Sequence, residues 1–188
     1  MSNKTNKTME LINLDIKRCL IHELGTELFD CIVGLPIEVR SDTNQRTGIQ
    51  VVARETKTRN LVMVSVYNPS EAAHFFAIEK TVRTETYYSQ TSQESANPSE
   101  MKFAGNVSFV DSFGRVIHVS TSGLKAEEDT FVSIVILARI LEVSVNDVIQ
   151  NIKKEAEVEN TERNIDDILP SQFFDPNHYL YALLKEYR

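Results

Sequence analysis

Four histidines, His22, His74, His118 and His178, are the side chains with the widest chemical range in this 188-residue sequence. An imidazole ligates metals and moves protons close to neutral pH. None of the four falls in a metal-ligating spacing, and neither His-x-x-Glu-His nor Cys-x-x-Cys occurs. His118 alternates with Val116 and Ser120 along one face of a β-patterned run, where a histidine serves either as a hydrogen-bonded strand residue or as a ligand. His74 stands beside Phe75 and Phe76, which suits core packing or the lining of an apolar ligand cleft.

Glu127, Glu128 and Asp129 form the best-defined acidic cluster. Neighbouring positions on a helix point in different directions, so the three carboxylates cannot converge on one ion unaided. Their place in a first helical turn, at the positive end of the macrodipole, accounts for them without a metal. Ser120, Ser122 and Ser133 have no nucleophile-elbow pattern around them. Gly114 and Gly123 do not bracket a phosphate-cradling loop. No complete set of catalytic roles emerges, so the sequence assigns no catalytic residue and leaves enzymatic activity open.

The elements that position these residues follow from periodicity. Glu10 to Val33 repeats apolar residues at helical spacing, with Gly25 as a candidate break and Gly34 and Pro36 as the stop. Glu38 to Thr47 is polar and turn-rich. Ile49–Glu55 and Leu61–Tyr67 read as a hairpin, and Glu71 opens a helix that runs past Val82. Thr84 to Glu100, rich in Ser, Thr, Gln and Asn, reads as the end of that helix followed by a mobile loop. Phe103–Val110 and Arg115–Thr121 make a second hairpin around residues 111–114. Gly123 then turns the chain into an apolar helix over Glu127–Leu141. Ser144 and Asp147 form a capping box for a further helix to about Glu155. A charged linker spans Lys153–Asp167, and a short docked helix ends the chain. The expected fold is α+β, an antiparallel sheet with helices on both faces and a helical C-terminal extension. The expected organisation is a disordered tail over 1–8, a domain over 9–141 and an extension over 142–188.

Composition narrows the partners. A net charge of −7 with no basic stripe disfavours nucleic acid. The longest apolar run, Phe131 to Leu141, contains Arg139 and falls far short of the roughly 20 residues of a membrane helix. Met1 to Met9 lacks the apolar core of a signal peptide, so a cytoplasmic protein is expected. Cys19 and Cys31 are expected as reduced, packed thiols.

The segment Ser122-Gly123-Leu124-Lys125-Ala126-Glu127-Glu128-Asp129, after a hairpin and before an apolar helix, resembles the closing segment of the GlcG/HbpS-type family. This is the haem-degrading domain that also forms the C-terminal domain of PduO-type proteins. A weaker match is Glu23-Leu24-Gly25-Thr26-Glu27-Leu28, and the likeness covers roughly residues 20–141. The resemblance implies a profilin-like sandwich, assembly into homo-oligomers and binding of haem or a related tetrapyrrole. It departs from the family where a glycine-histidine-serine-serine segment is replaced by Thr86-Tyr87-Tyr88-Ser89. Tyr87 then stands in the histidine's place, and a tyrosinate is a known haem ligand. The cofactor-binding candidates are therefore His74, Tyr87 and His118, with no metal site assigned. The expected function is an oligomeric protein that binds a small apolar ligand, haem in the first instance. The alternative is an interaction scaffold of the same fold that has lost its ligand residues.

Overall fold

The computed structural model describes residues 12–87, 89–159 and 165–187, and the expected N-terminal tail over 1–8 lies outside them. Two hairpins of β-branched residues build one four-stranded antiparallel sheet in the order β2-β1-β4-β3. The first is β1 (Gly48–Glu55) with β2 (Leu61–Tyr67), and the second is β3 (Asn106–Val110) with β4 (Val116–Ser122). β1 and β4 pair at the centre, with Val51 opposite Thr121 and Arg54 opposite His118. The chain is thus α+β, with helices on both sheet faces and a helical extension, as expected.

Alternation along the strands gives the two faces different chemistry. Ile49, Val51, Ala53, Val62, Val64, Val66, Val107, Ile117 and Val119 form a continuous apolar face. It is covered by α1 (Arg18–Val33) and α4 (Ala126–Leu141), whose inward residues include Leu28, Ile32, Phe131 and Val135. α1 begins at Arg18 rather than at Glu10 and passes unbroken through Gly25. Gly25 is there for close approach, since a Cβ on it would sit 2.9 Å from Val66 Cγ2. The opposite face carries Gln50, Val52, Arg54, Asn106, Ser108, His118 and Ser120, and α3 (Glu71–Tyr87) packs over β1 and β4 there. Cys19 is exposed and Cys31 half-buried, both unpaired, so only Cys31 matches the expected packed thiol.

The polar stretches depart most from expectation. Within Glu38–Thr47 a single helical turn forms, α2 (Ile37–Arg40). Ser89, Gln90, Thr91 and Ser92 are buried rather than part of a mobile loop. They lie antiparallel to β3, with Ser108 N–H donating to Gln90 O at 2.9 Å and Ser92 N–H to Asn106 O at 3.1 Å. Those backbone bonds, and Arg83 donating to Ser92 O at 3.1 Å, compensate the burial of a segment without apolar side chains.

The extension is α5 (Val145–Glu159), α6 (Ile165–Ile168) and α7 (Tyr179–Glu186). The Ser144–Asp147 capping box is formed, with Asp147 N–H donating to Ser144 Oγ at 3.0 Å and Ser144 N–H to Asp147 Oδ2 at 2.9 Å. α5 outlasts its expected end at Glu155, and part of the expected linker, residues 160–164, lies outside the described residues. Asn151 ties α5 to the β3 edge through both Val110 N–H (2.9 Å) and Val110 O (2.8 Å). α7 docks Leu180, Leu183 and Leu184 into the apolar core.

The first turn of α4 does more than face its own dipole. Glu128, fully buried, accepts two bonds from Arg40 at 2.7 Å each, one from Tyr179 Oη at 2.7 Å and one from Lys125 N–H at 3.0 Å. Burial pushes its carboxyl up, but those four donors outweigh it and hold it below its ordinary value. Removing the carboxylate leaves the buried Arg40 guanidinium with Asp42 Oδ2, at 3.1 Å, in place of a bidentate partner. Glu128→Ala should therefore cost roughly 3–5 kcal/mol in urea denaturation. Tyr179→Phe, which removes one donor of the four, should cost about 1.5 kcal/mol.

Candidate functional site

The polar face of the sheet holds a cavity of about 290 Å³ beneath the C-terminal half of α3. That is the low end of the ~300–1,000 Å³ typical of small-molecule sites. Its floor is His118, the middle residue of a cross-strand row whose other members, Arg54 and Ser108, do not line the cavity. Arg54 on β1 is opposite His118 on β4, and His118 is opposite Ser108 on β3. The Thr91–Val107 bridge extends that register outward, setting Gln90 beside Ser108. The roof is Thr84 and Glu85 of α3, Glu155 of α5 forms a wall, and Val110 and Val116 close the hairpin end.

His118 sits at the centre of the row, 3% exposed. Its Nδ1 lies 2.8 Å from Ser108 Oγ, which leaves Nε2 as the ring's other polar atom. Burial, reinforced by the Arg54 guanidinium, pulls its pKa from 6.5 down to about 4. The ring is therefore neutral at physiological pH, with one nitrogen a donor and the other an acceptor. Arg54 is itself held by Glu85, Nη1 to Oε2 at 2.8 Å.

Three side-chain oxygens at this face are sealed from solvent without a partner: Ser89 Oγ, Gln90 Oε1 and Ser120 Oγ. Ser89 and Gln90 line the cavity, and Ser120 follows His118 on the same face of β4. An unmet buried polar group costs about 1–3 kcal/mol. Elsewhere the same face satisfies its polar groups: Gln50 donates to Val51 O at 3.1 Å and Val64 O at 3.0 Å and accepts from Ser65 Oγ at 2.7 Å. Two of the three orphans thus belong to residues that line the cavity.

The pairing of Ser108 with His118 is two-thirds of a nucleophilic triad in composition only. Ser108 is 1% exposed, and no carboxylate among the described residues bonds the histidine. The arrangement lacks the base-orienting acid and the reachable hydroxyl that acyl transfer needs.

Of the three sequence candidates, His118 lines the cavity. His74 lies in the first turn of α3 and is half-exposed. From His74 to Thr84, where the roof begins, the helix rises about 15 Å. Tyr87 ends α3, and its side chain lies outside the described residues. No group of three or more His, Cys, Asp or Glu among the described residues is placed to hold a metal ion. Among the described side chains, haem, which the resemblance implies, would have His118 as its one candidate ligand at the cavity, in a space near the lower limit for any small molecule. The described residues do not fit it. Nor is any described helix long and apolar enough to cross a membrane.

Sequence reasoning passed over Ser89, Gln90, Glu85 and Ser108. Only Ser108 had a signal: a hairpin turning at residues 111–114 puts it across from His118. No protein-family model, no curated protein and no solved structure matches this chain.

The buried imidazole makes stability pH-dependent with a defined sign. Between pH 6.5 and about 4 the unfolded chain binds a proton that folded His118 does not, so stability is lost as pH falls through that window. The interval corresponds to about 3 kcal/mol. His118→Gln, which keeps a partner for Ser108, should lose about that much less than the wild type between pH 7.5 and 4 in denaturant titrations.

Proposed function

We propose that this protein binds a small ligand in the cavity between α3 and the β1–β4–β3 floor. One observation carries the reading: Ser89 and Gln90, whose side-chain oxygens are sealed without a partner, line the same space as the neutral His118 ring. The ligand is smaller and more polar than the apolar, haem-sized molecule the sequence suggests. Membership of the GlcG/HbpS-type family, and haem with it, rests on the Ser122–Asp129 segment. The acidic surface favours a cytoplasmic setting.

A second reading concerns assembly. Phe75, Ile78 and Val82 are exposed at 64%, 39% and 47% and lie on one face of α3 at helical spacing. That stripe supports self-association through an antiparallel α3–α3 contact between two copies, consistent with the oligomer the resemblance implies. An apolar face of this kind covers itself when a two-fold axis crosses it.

Native mass spectrometry of the gently purified chain should find a small bound species, and micromolar haem should keep its free Soret spectrum. A Soret shift that His118→Ala abolishes would replace this ligand with haem, and a ligand-free mass would count against binding altogether. Light scattering should give a dimer that Ile78→Glu converts to a monomer; a monomeric wild type removes the assembly reading.

A further inference from the structure

The charges and orphaned atoms around the cavity restrict what can occupy it. No lysine or arginine lines it, and its two carboxylates are already paired: Glu85 with Arg54 at 2.8 Å and Glu155 with Lys154 at 3.5 Å. An anion would enter beside two carboxylates with no spare cation to meet it. A cation would compete for carboxylates that already have partners, and would lose its own hydration. A wholly apolar molecule would leave Ser89 Oγ and Gln90 Oε1 unpaired as before. The backbone of Gln90 is also fully used, its N–H by Glu94 at 2.6 Å and its carbonyl by Ser108 N–H at 2.9 Å. Only the Gln90 side chain is left to meet a ligand.

What remains is an uncharged molecule with both a donor and an acceptor. Gln90 and Ser89 supply oxygens that accept, and the hydroxyl and amide also donate. Neutral His118 offers Nε2 in the role opposite to the one Nδ1 takes with Ser108. Val110 and Val116 supply an apolar wall. We propose that the occupant is a small neutral lactam or nitrogen heterocycle, held by hydrogen bonds to Gln90, Ser89 and His118 with its hydrocarbon edge on Val110 and Val116. This rests on the ligand-binding reading of the cavity and specifies its chemistry. Both oxygens are sealed from solvent in the structure, so this binding mode requires the Ser89 and Gln90 side chains to rotate toward the ligand.

The test is a titration of the full chain, labelled with ¹⁵N, using 2-pyridone and 2-pyrrolidone as neutral probes. Benzoate, benzamidinium and toluene serve as anionic, cationic and apolar controls. The neutral probes should saturably shift the His118 ring nitrogens and the Gln90 side-chain amide at millimolar concentration, and the controls should not. Gln90→Met keeps both backbone bonds; it should weaken the neutral probes at least tenfold while raising the melting temperature of the ligand-free protein, because an unmet buried acceptor is gone. A merely structural glutamine would lower that temperature. Tighter binding of any control, or unchanged binding by Gln90→Met, overturns the ligand class but leaves a binding cavity. No shift with any probe, together with a ligand-free mass, overturns both and leaves water as the occupant.

Discussion

Two adjacent carboxylates at the start of α4 hold the layers together, and they do it by pointing in different directions. Glu128 reaches toward Arg40 of α2 and Tyr179 of α7, on the side of the apolar core. Asp129, one residue and about 100° further round the helix, accepts from Lys80 Nζ of α3 at 2.9 Å. Lys80 also donates to Thr121 O at the end of β4, at 2.7 Å. Burial lowers Lys80 and raises Asp129, and each one's charge opposes the shift in the other. So α3, the sheet and α4 meet at one fully buried ammonium. The junction also explains Gly105: a Cβ there would lie 2.6 Å from Lys80 Nζ and 2.7 Å from Thr121 O. Such pairs add little net stability over apolar replacements, but they penalise every arrangement that separates the partners.

That constraint fixes where the cavity lies. Lys80 pins the middle of α3 at one end of β4, and Arg54 with Glu85 holds the helix over the row containing His118. Between the two, Thr81 Oγ1 bonds back to its own helix at Ala77 O, while Thr84 Oγ1 lies within reach of both Lys80 O and the Asn106 side-chain oxygen of β3. Beyond Glu85 the helix ends, and the chain returns along β3 as the polar segment Ser89–Ser92. The cavity is the space left where a helix held by two ion pairs runs off the edge of its supporting row.

The sheet was legible because its chemistry is local. Val116, His118 and Ser120 alternate with Ile117, Val119 and Thr121, and that pattern alone gives both faces and the hairpin partner. The Ser144–Asp147 cap was legible for the same reason. What was not legible depends on residues far apart in the chain. Glu128 and Asp129 look like ordinary helix-start acids until Arg40 and Lys80 arrive from distant segments. Ser89–Ser92 looks like loop composition because backbone pairing with β3, which leaves no pattern in side-chain types, is what buries it. The cavity depends on Gln90 meeting the His118 row, so its polar half was out of reach even though His118 itself was not.

The two faces of the sheet also differ in how they answer to temperature. Under α1 and α4 the contact is hydrocarbon on hydrocarbon, a burial that carries a large heat-capacity change and weakens on cooling. Under α3, Val52, Ala73 and Ala77 are joined by the buried polar residues Gln50, Asn106, Ser108, His118 and Ser120, whose burial contributes to heat capacity with the opposite sign. The sheet therefore has two faces whose burial depends differently on temperature. Warming and cooling load its two sides unequally, and the side that holds the cavity is the one whose grip is set by hydrogen bonds and ion pairs.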